Sequence, residues 1–241
     1  MDDNLDQLLR NLKLTRTHQI VESELERAQA EDISYTELLV RLFRHEEQHR
    51  SERALAYRMD MAKLPERWTI ESFPFAKQPG VDKRTIRQLA ELDFVPQASN
   101  VVFIGETGVG KTGLATGLLI KALENGHRGL FVKAQDLFDE MYASVADRSS
   151  RKLVDRLARL DVILIDELGY LNLRPEQSNI FFKLMAERYR RKPTIITTNL
   201  DYEQWYEFLG QKSMVEALLS RLRHHCTTVR IAGPSLRAPQ S

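Results

Sequence analysis

Hydrophobic positions near the start of the chain recur at helical spacing. Apolar side chains fall three or four residues apart in residues 5–12 and again in residues 20–28, which predicts helices with one buried face. Ser34 and Glu37 form a capping box just before another apolar face, so we predict that a helix begins there. Neither glycine nor proline occurs before Pro65. The pattern predicts a small N-terminal helical domain.

The apolar face disappears after Phe43, because residues 44–53 are all polar or charged. We predict that the helix nevertheless continues to Met61, partly in solvent or against a polar partner, and that Pro65 ends the helical module. Composition leaves two interpretations open, a solvated helix laced with ion pairs or a nucleic-acid-binding face. The basic residues of this arginine-rich segment are Arg41, Arg44, Arg50, Arg53, Arg58, Lys63 and Arg67.

An aromatic connector follows at residues 68–75. Pro74 disfavours helical angles at Phe73, so we predict an extended conformation. Two compatible roles are open for Phe73: it packs the two modules together, or it lines an adenine pocket, because a base needs flat apolar surfaces.

From Thr85 onward, short β-branched runs alternate with stretches of helical length. This alternation predicts an α/β fold with a parallel five-stranded sheet covered on both faces. Ligands of such sheets bind at the carboxyl ends of the strands. We therefore predict a helical domain at 1–67, an α/β domain at 68–233 and a flexible tail at 234–241. The predicted strands are 101–104, 129–132, 162–165, 194–198 and 228–231.

Composition indicates the cellular compartment of the protein but does not indicate its function. The formal net charge is +1, so any basic surface for a polyanion must be local. The single cysteine, Cys226, excludes an internal disulfide and suits a reducing compartment. No apolar run approaches the roughly 20 residues of a membrane span, and the start is acidic rather than signal-like. We expect a cytoplasmic protein with no membrane partner.

A glycine-rich loop stands between the first predicted strand and the helix that follows it. This strand–loop–helix context is the one that a phosphate-binding loop requires, because glycines let successive N–H groups point at a phosphate. The lysine can reach the β- and γ-phosphates of ATP, and the last threonine can ligate Mg²⁺. The predicted cofactor-binding residues are Gly105, Glu106, Thr107, Gly108, Val109, Gly110, Lys111 and Thr112.

Two carboxylates, Asp166 and Glu167, directly follow the apolar run 162–165. Charge at the end of a buried strand needs a partner, so we predict that Asp166 holds Mg²⁺ opposite Thr112. Glu167 is placed to polarise a water for attack on the γ-phosphate. Asn199 ends the fourth strand and could hold that water or touch the γ-phosphate, although an asparagine in this place is often only a turn residue.

An amphipathic helix near the end of the chain carries Arg221 and Arg223. One of them could reach a neighbouring subunit's γ-phosphate as an arginine finger. From the pattern alone, a solvated arginine is the better interpretation.

Taken together, the strings GETGVGKT, VILIDELGYL, IITTN and SRLRHH resemble the IstB-type transposition helper ATPases. These are relatives of the DnaC-type helicase loaders in the AAA+ superfamily. The resemblance covers nearly the whole chain, and its most family-specific part is the string DELGYL at residues 166–171.

The resemblance implies an ATPase that forms a homo-oligomer on duplex DNA, with ATP at subunit interfaces, and works with an insertion-sequence transposase. It implies sequence-tolerant DNA contacts by the arginine-rich segment. It makes Lys111 and Thr112 part of Walker A, Asp166 and Glu167 Walker B, and Asn199 sensor 1. Arg221 takes the arginine-finger position. Arg237 falls near the sensor 2 region, where a Gly-Glu-Ser-Tyr-Arg string is more usual, so its role stays open.

Three alternatives remain beside a transposition helper. A replicative helicase loader shares the same core and would differ by its helicase partner and its use of single-stranded DNA. A non-catalytic nucleotide-gated scaffold is disfavoured by the presence of both Asp166 and Glu167. A small-molecule kinase would need an acceptor pocket and lid arginines, for which the sequence shows no insertion.

Overall fold

The computed structural model describes residues 3–169 and 172–237. The chain forms two compact units that divide between Tyr57 and Arg58. Within the described ranges, no helix combines the length and apolar composition needed to cross a membrane. The C-terminal residues 238–241 of the predicted tail lie outside the described residues, as do Tyr170 and Leu171 of the family-specific string.

The N-terminal unit is built from three helices, as the spacing of apolar residues predicted. The Ser34 hydroxyl accepts a hydrogen bond from the Glu37 amide at 3.2 Å, which confirms the predicted helix start, whereas the Glu37 carboxylate pairs with Arg41. The third helix does continue to Met61, with its last residues in the second unit. The helices are α1 Asp3–Asn11, α2 Thr15–Glu31 and α3 Tyr35–Met61.

The core of the N-terminal unit is small, so polar contacts matter to it. Its buried apolar residues are supplemented by Glu46 of α3, whose side chain is only 5% exposed. The Glu46 carboxylate accepts a hydrogen bond from the Thr17 amide at 2.8 Å and pairs with Arg50 at 3.2 Å. Glu46 therefore caps the start of α2 from a neighbouring helix. The core residues are Leu9, Val21, Leu38 and Leu42.

The second unit is a five-stranded sheet in which every adjacent pair is parallel, with strand order β2-β3-β4-β1-β5. The prediction of a parallel five-stranded α/β fold is confirmed. The strands are β1 Asn100–Gly105, β2 Gly129–Lys133, β3 Val162–Leu168, β4 Thr194–Thr198 and β5 Cys226–Ile231. The helices are α4 Lys83–Ala90, α5 Lys111–Glu124, α6 Ala134–Ala146, α7 Ser150–Ala158, α8 Pro175–Arg188, α9 Trp205–Leu209 and α10 Lys212–His224.

Two apolar layers cover the sheet because its strands carry apolar side chains on both faces. One layer contains α6, α7, α8 and α10, and the other contains α5 and α4. The strands β1 and β3 are buried along nearly their whole length. Because the strands are parallel, their carboxyl ends lie at the same edge of the sheet. The loops that follow β1, β3 and β4 therefore meet at that edge.

The aromatic connector is compact, so the prediction of an extended segment was wrong. Thr69 and Ser72 exchange side-chain-to-backbone hydrogen bonds of 3.2 Å, and the Phe73 amide donates to Ile70 O at 3.3 Å. These local bonds close a turn that competes with the extended conformation preferred before proline. A short 3₁₀ helix, Phe75–Lys77, follows.

Candidate functional site

The glycine loop joins β1 to the first turn of α5 through two residues with positive φ. Gly108 has φ +87° and Gly110 has φ +96°, angles that side chains rarely tolerate. A Cβ on Gly110 would also stand 2.6 Å from Cε2 of Phe73. Phe73 is buried and packs edge-on against Phe75. The loop therefore turns sharply beneath an aromatic ring, as a phosphate-binding loop before a helix N-terminus requires.

Lys111 is held inside this loop by main-chain oxygens. Its Nζ donates to Gly105 O and Glu106 O, each at 2.7 Å. Burial lowers the pKa of Lys111 from its usual value, and the nearby charges of Asp166 and Glu167 oppose that shift. The ammonium group is thus partly desolvated and is held by the main chain of the loop to which an anion would bind.

The two acids at the end of β3 occupy different environments. Asp166 is 2% exposed, and its Oδ1 accepts hydrogen bonds from Thr112 Oγ1 at 2.9 Å and Thr197 Oγ1 at 2.5 Å. Burial raises the pKa of Asp166, while the two hydroxyl hydrogen bonds act against that rise. Glu167, by contrast, is exposed.

A β-bulge produces this difference. The pairing of β3 with β4 shifts between Ile165 and Leu168, and Glu167 has φ +60°. The Glu167 amide donates to Thr197 Oγ1 at 2.9 Å. A left-handed residue other than glycine costs on the order of 1–3 kcal/mol and persists where its surroundings hold it. The bulge keeps Asp166 pointed into the protein and turns Glu167 outward at the sheet edge.

Thr197 is the residue that sequence reasoning missed. One hydroxyl bonds both the Asp166 carboxylate and the Glu167 main chain. A threonine in a β-branched strand is fully explained as a strand residue, so its type gave no signal. Only its position two residues before Asn199, on the strand beside β3, could have pointed to it.

Asn199 lies just beyond β4, near Gly169 of the loop that follows β3. Its Oδ1 is buried and finds no hydrogen-bond partner among the described residues, and a Cβ on Gly169 would approach it to 3.1 Å. An unpaired buried acceptor costs about 1–3 kcal/mol. Such an atom at the edge of a cavity suits a site that a ligand or water completes.

One cavity of about 440 Å³ collects most of the predicted site residues. Gly105, Glu106 and Val109 belong to the same loop without lining the cavity. Its volume lies within the range of small-molecule sites. The cavity brings together Phe73, Thr107, Gly108, Gly110, Lys111, Thr112, Asp166, Glu167, Asn199 and Arg237, together with Thr197.

Arg221 is not brought to this cavity. It is an exposed residue of α10 and lines a separate cavity of about 350 Å³ between α8 and α10. Its own chain's glycine loop does not share this cavity. If Arg221 contacts a nucleotide, that nucleotide must therefore be bound to a neighbouring subunit.

The donor atoms suit Mg²⁺. Thr112 Oγ1 and Asp166 Oδ1 are hard oxygen donors 2.9 Å apart at the end of the glycine loop, and Mg²⁺ is usually held by one or two such groups plus water and phosphate. No cluster of three histidine, cysteine or acidic residues that could hold a metal occurs in residues 3–169 and 172–237. Thr112 and Asp166 would supply part of the coordination of Mg²⁺, and water and phosphate oxygens would supply the rest.

The parallel sheet, the glycine loop after β1, the two acids near the end of β3 and the asparagine after β4 define a P-loop protein with an AAA+ fold. The family model described as IstB-like ATP binding protein matches residues 7–241. This chain belongs to that family.

Relatives and solved structures agree with this placement. The chain is 36% identical over 233 residues to a Pseudomonas aeruginosa protein named as an ATP-binding protein of insertion sequence IS21, covering 97% of this chain and 88% of that one. It is 35% identical over 212 residues to the corresponding protein of insertion sequence IS5376 from Geobacillus stearothermophilus, covering 88% and 84%.

Among solved structures, DnaI shares the fold with a TM-score of 0.60 and 22% identity, covering 69% of this chain and 92% of that chain. The DnaC helicase loader gives 0.53 and 25%, covering 62% and 87%.

Proposed function

We propose that this protein is an ATP-dependent, DNA-binding ATPase that assembles on duplex DNA and helps an insertion-sequence transposase engage its target. The relatives named for insertion sequences support the association with transposition. The main support for catalysis is the β-bulge in β3, at which Asp166 is buried while the adjacent Glu167 is exposed. A protein that only bound nucleotide would gain nothing from a strained, outward-facing second acid.

Each residue of the cavity has a task in this proposal. Lys111 and the loop amides bind the β- and γ-phosphates. Thr112 and Asp166 hold Mg²⁺, which when bound neutralises charge on the phosphates. Glu167 accepts a proton from the attacking water as the water oxygen bonds to the γ-phosphorus and the bond to the β–γ bridging oxygen breaks, which releases ADP and phosphate. Asn199 orients that water through its unpaired oxygen. Phe73 is a candidate to lie against the adenine base.

Arg221 acts, in this proposal, on the nucleotide of an adjoining subunit. Its exposure and its distance from its own cavity support a role in trans. ATP bound between subunits would then favour an oligomer, and hydrolysis would let that oligomer disperse.

The N-terminal unit offers a basic surface for the DNA backbone. A concave surface of about 780 Å³ between the α1–α2 turn and α3 is lined by Arg10, Lys13, Arg50 and Arg53. Arg53 is exposed and forms no ion pair within the described part of the chain. Cations of this kind bind phosphates without reading the base sequence. A target-tolerant helper needs contacts of that type.

The first test measures ATP turnover and particle size with and without duplex DNA at two salt concentrations. We expect duplex DNA to raise turnover and ATP to drive large assemblies, with Lys111→Ala as the inactive reference. A pull-down with the transposase of the same element then tests the partner. No response to DNA of either kind would contradict the proposal.

The DNA surface has its own test. The double variant Lys13→Glu, Arg53→Glu should weaken duplex binding and flatten its dependence on salt, because fewer counterions are released. The matched control is Arg87→Glu on α4, an exposed arginine of the other unit. Equal loss in the control and the double variant would remove the surface from the proposal.

A replicative helicase loader is the second candidate, favoured by the fold shared with DnaI and the DnaC helicase loader. Activation by single-stranded DNA alone, with no response to duplex DNA, would select it.

A further inference from the structure

The segment at residues 233–237 packs directly against the glycine loop. The Leu236 amide donates to Gly108 O at 2.8 Å. A Cβ on Gly108 would stand 2.2 Å from Ser235 Oγ, and one on Gly110 would stand 3.1 Å from Leu236 Cδ1. The end of the described chain is therefore packed on the loop rather than extended away from it.

A buried glutamine fastens this segment to the loop. Gln78 follows the 3₁₀ helix and is 0% exposed. Its Nε2 donates to Val109 O at 3.1 Å and to Pro234 O at 2.9 Å. The two acceptors are main-chain carbonyls of segments that lie far apart in sequence. Both N–H groups of the Gln78 amide therefore donate hydrogen bonds that connect these two segments.

The orientation of the Gln78 amide follows from its surroundings. Turning it over would place its oxygen against two carbonyl oxygens, which would repel it. In the orientation that fits, Oε1 has no hydrogen-bond partner among the described residues and lies so close to Gly233 that a Cβ there would stand 1.9 Å away. The Gln78 amide therefore uses both of its N–H donors, while its oxygen stays without a hydrogen bond among the described residues.

Close main-chain approach around Gln78 depends on glycine at two places. A Cβ on Gly80 would stand 1.6 Å from Ala232 O, and Gly233 faces Gln78 itself. Any side chain at either position would push the C-terminal segment away from residues 78–80. Residues 78–80, the glycine loop and residues 232–236 therefore form one joint, with Gln78 at its centre.

The joint matters because of what the segment carries. Arg237 lines the same cavity as Lys111, and its charge contributes to lowering the pKa of Lys111. The two cations would repel each other in an empty cavity and be drawn together by a polyphosphate. A triphosphate carries more negative charge than a diphosphate, so a second cation favours the triphosphate.

We propose that Gln78 is a positioning residue that clasps residues 233–237 to the glycine loop and so holds Arg237 beside the phosphate site, which biases the site toward ATP over ADP. The proposal rests on the nucleotide binding proposed above. Gln78 touches no substrate and acts only through the segment.

The test uses Gln78→Met, which keeps the side-chain length and removes both donors, with Gln88→Met, at an exposed position of α4, as the control. Hydrogen exchange at the Leu236 amide should become at least about 10-fold faster in Gln78→Met. ATP affinity should fall about 10-fold while ADP affinity changes about 2-fold or less. In an Arg237→Ala background, Gln78→Met should leave the ATP-to-ADP ratio unchanged, because the residue that it positions is gone.

A second variant covers the case in which Gln78→Met does not fold. Gly233→Ala forces the same joint apart from the opposite side, and we expect the same changes at Leu236 and in the nucleotide ratio. Wild-type exchange at Leu236 in these variants would overturn the clasp. Equal loss of ATP and ADP affinity, or full additivity with Arg237→Ala, would make Gln78 merely structural and overturn its positioning role. If the wild type bound neither nucleotide, the proposed function would fail, while exchange at Leu236 would still test the clasp.

Discussion

At the scale of single residues, the division of labour between Asp166 and Glu167 is the feature with the clearest consequences. The two side chains are adjacent in sequence, yet one is buried between two hydroxyl groups and the other is exposed at the mouth of the cavity. Substitutions at the two positions should therefore separate nucleotide binding from hydrolysis.

Glu167→Gln should bind ATP and assemble on DNA but turn over at least about 100-fold more slowly, because an amide cannot accept the proton of the attacking water. Phosphate release and particle size measure the two effects separately. Glu124→Gln, at the exposed end of α5, is the control. Normal turnover in Glu167→Gln would show that another group activates the water.

Thr197→Val should slow turnover by about 10- to 100-fold and cost about 1–3 kcal/mol of stability, because it removes a hydroxyl that Asp166 and the Glu167 amide share. Thr197→Ser keeps the hydroxyl and should restore most of the turnover. Steady-state kinetics and urea unfolding of both variants check this. If Thr197→Ser were as impaired as Thr197→Val, the loss of the hydroxyl hydrogen bonds would not explain the effect, because serine keeps the hydroxyl.

At the scale of elements, the strands could be predicted because short β-branched runs mark them in the sequence. The long helix could be predicted from its capping box, its first apolar face and the absence of glycine and proline before Pro65. The two acids near the end of β3 and the glycine loop after β1 could also be predicted, since a break in an apolar run is visible in the sequence. The bulge at Glu167 could not, because it arises from the pairing of β3 with β4. Gln78 escaped prediction for a related reason: a glutamine in a loop has no pattern, and its two partners are distant in sequence.

The capping of α2 by Glu46 leads to a prediction about pH. Burial opposes the ionisation of Glu46, but the Thr17 hydrogen bonds and the Arg50 charge outweigh burial and hold its pKa below the ordinary value of 4.5. A depressed carboxyl pKa contributes stability above pH 4.5, and this stability is lost as the pH falls through the lower, folded-state pKa.

Glu46→Gln should therefore loosen the N-terminal unit at pH 7, and the difference from wild type should shrink as the pH falls below 4.5. Hydrogen exchange of α2 amides at several pH values measures this difference. Glu47→Gln, at the exposed neighbouring position, should leave exchange unchanged. A gap between Glu46→Gln and wild type that stayed constant with pH would contradict the charge-based explanation.

At the scale of the whole molecule, the cavity lacks an arginine of its own chain from α10, which makes the assembly testable by mixing. Arg221→Ala should reduce turnover by at least about 100-fold with ATP still bound. Mixed with Lys111→Ala, which cannot bind ATP but keeps its Arg221, it should regain part of its activity. The control is Arg223→Ala. Arg223 lies two residues further along α10, and its guanidinium group stacks on the ring of Tyr202. Failure of the mixture to exceed the sum of the separate proteins would argue against action in trans.

The strand order also has a consequence for how the site comes into being during folding. Val101 of β1 pairs with Ile195 of β4 and Thr227 of β5, so both neighbours of β1 in the sheet come from the far end of the chain. Such distant pairings form slowly, because the chain loses the entropy of closing the intervening loops before the new contacts stabilise the sheet. The glycine loop cannot be fixed until β4 and β5 have docked. Nucleotide would therefore stabilise only chains that have completed the sheet, and a cell's supply of ATP would favour finished molecules over nascent ones.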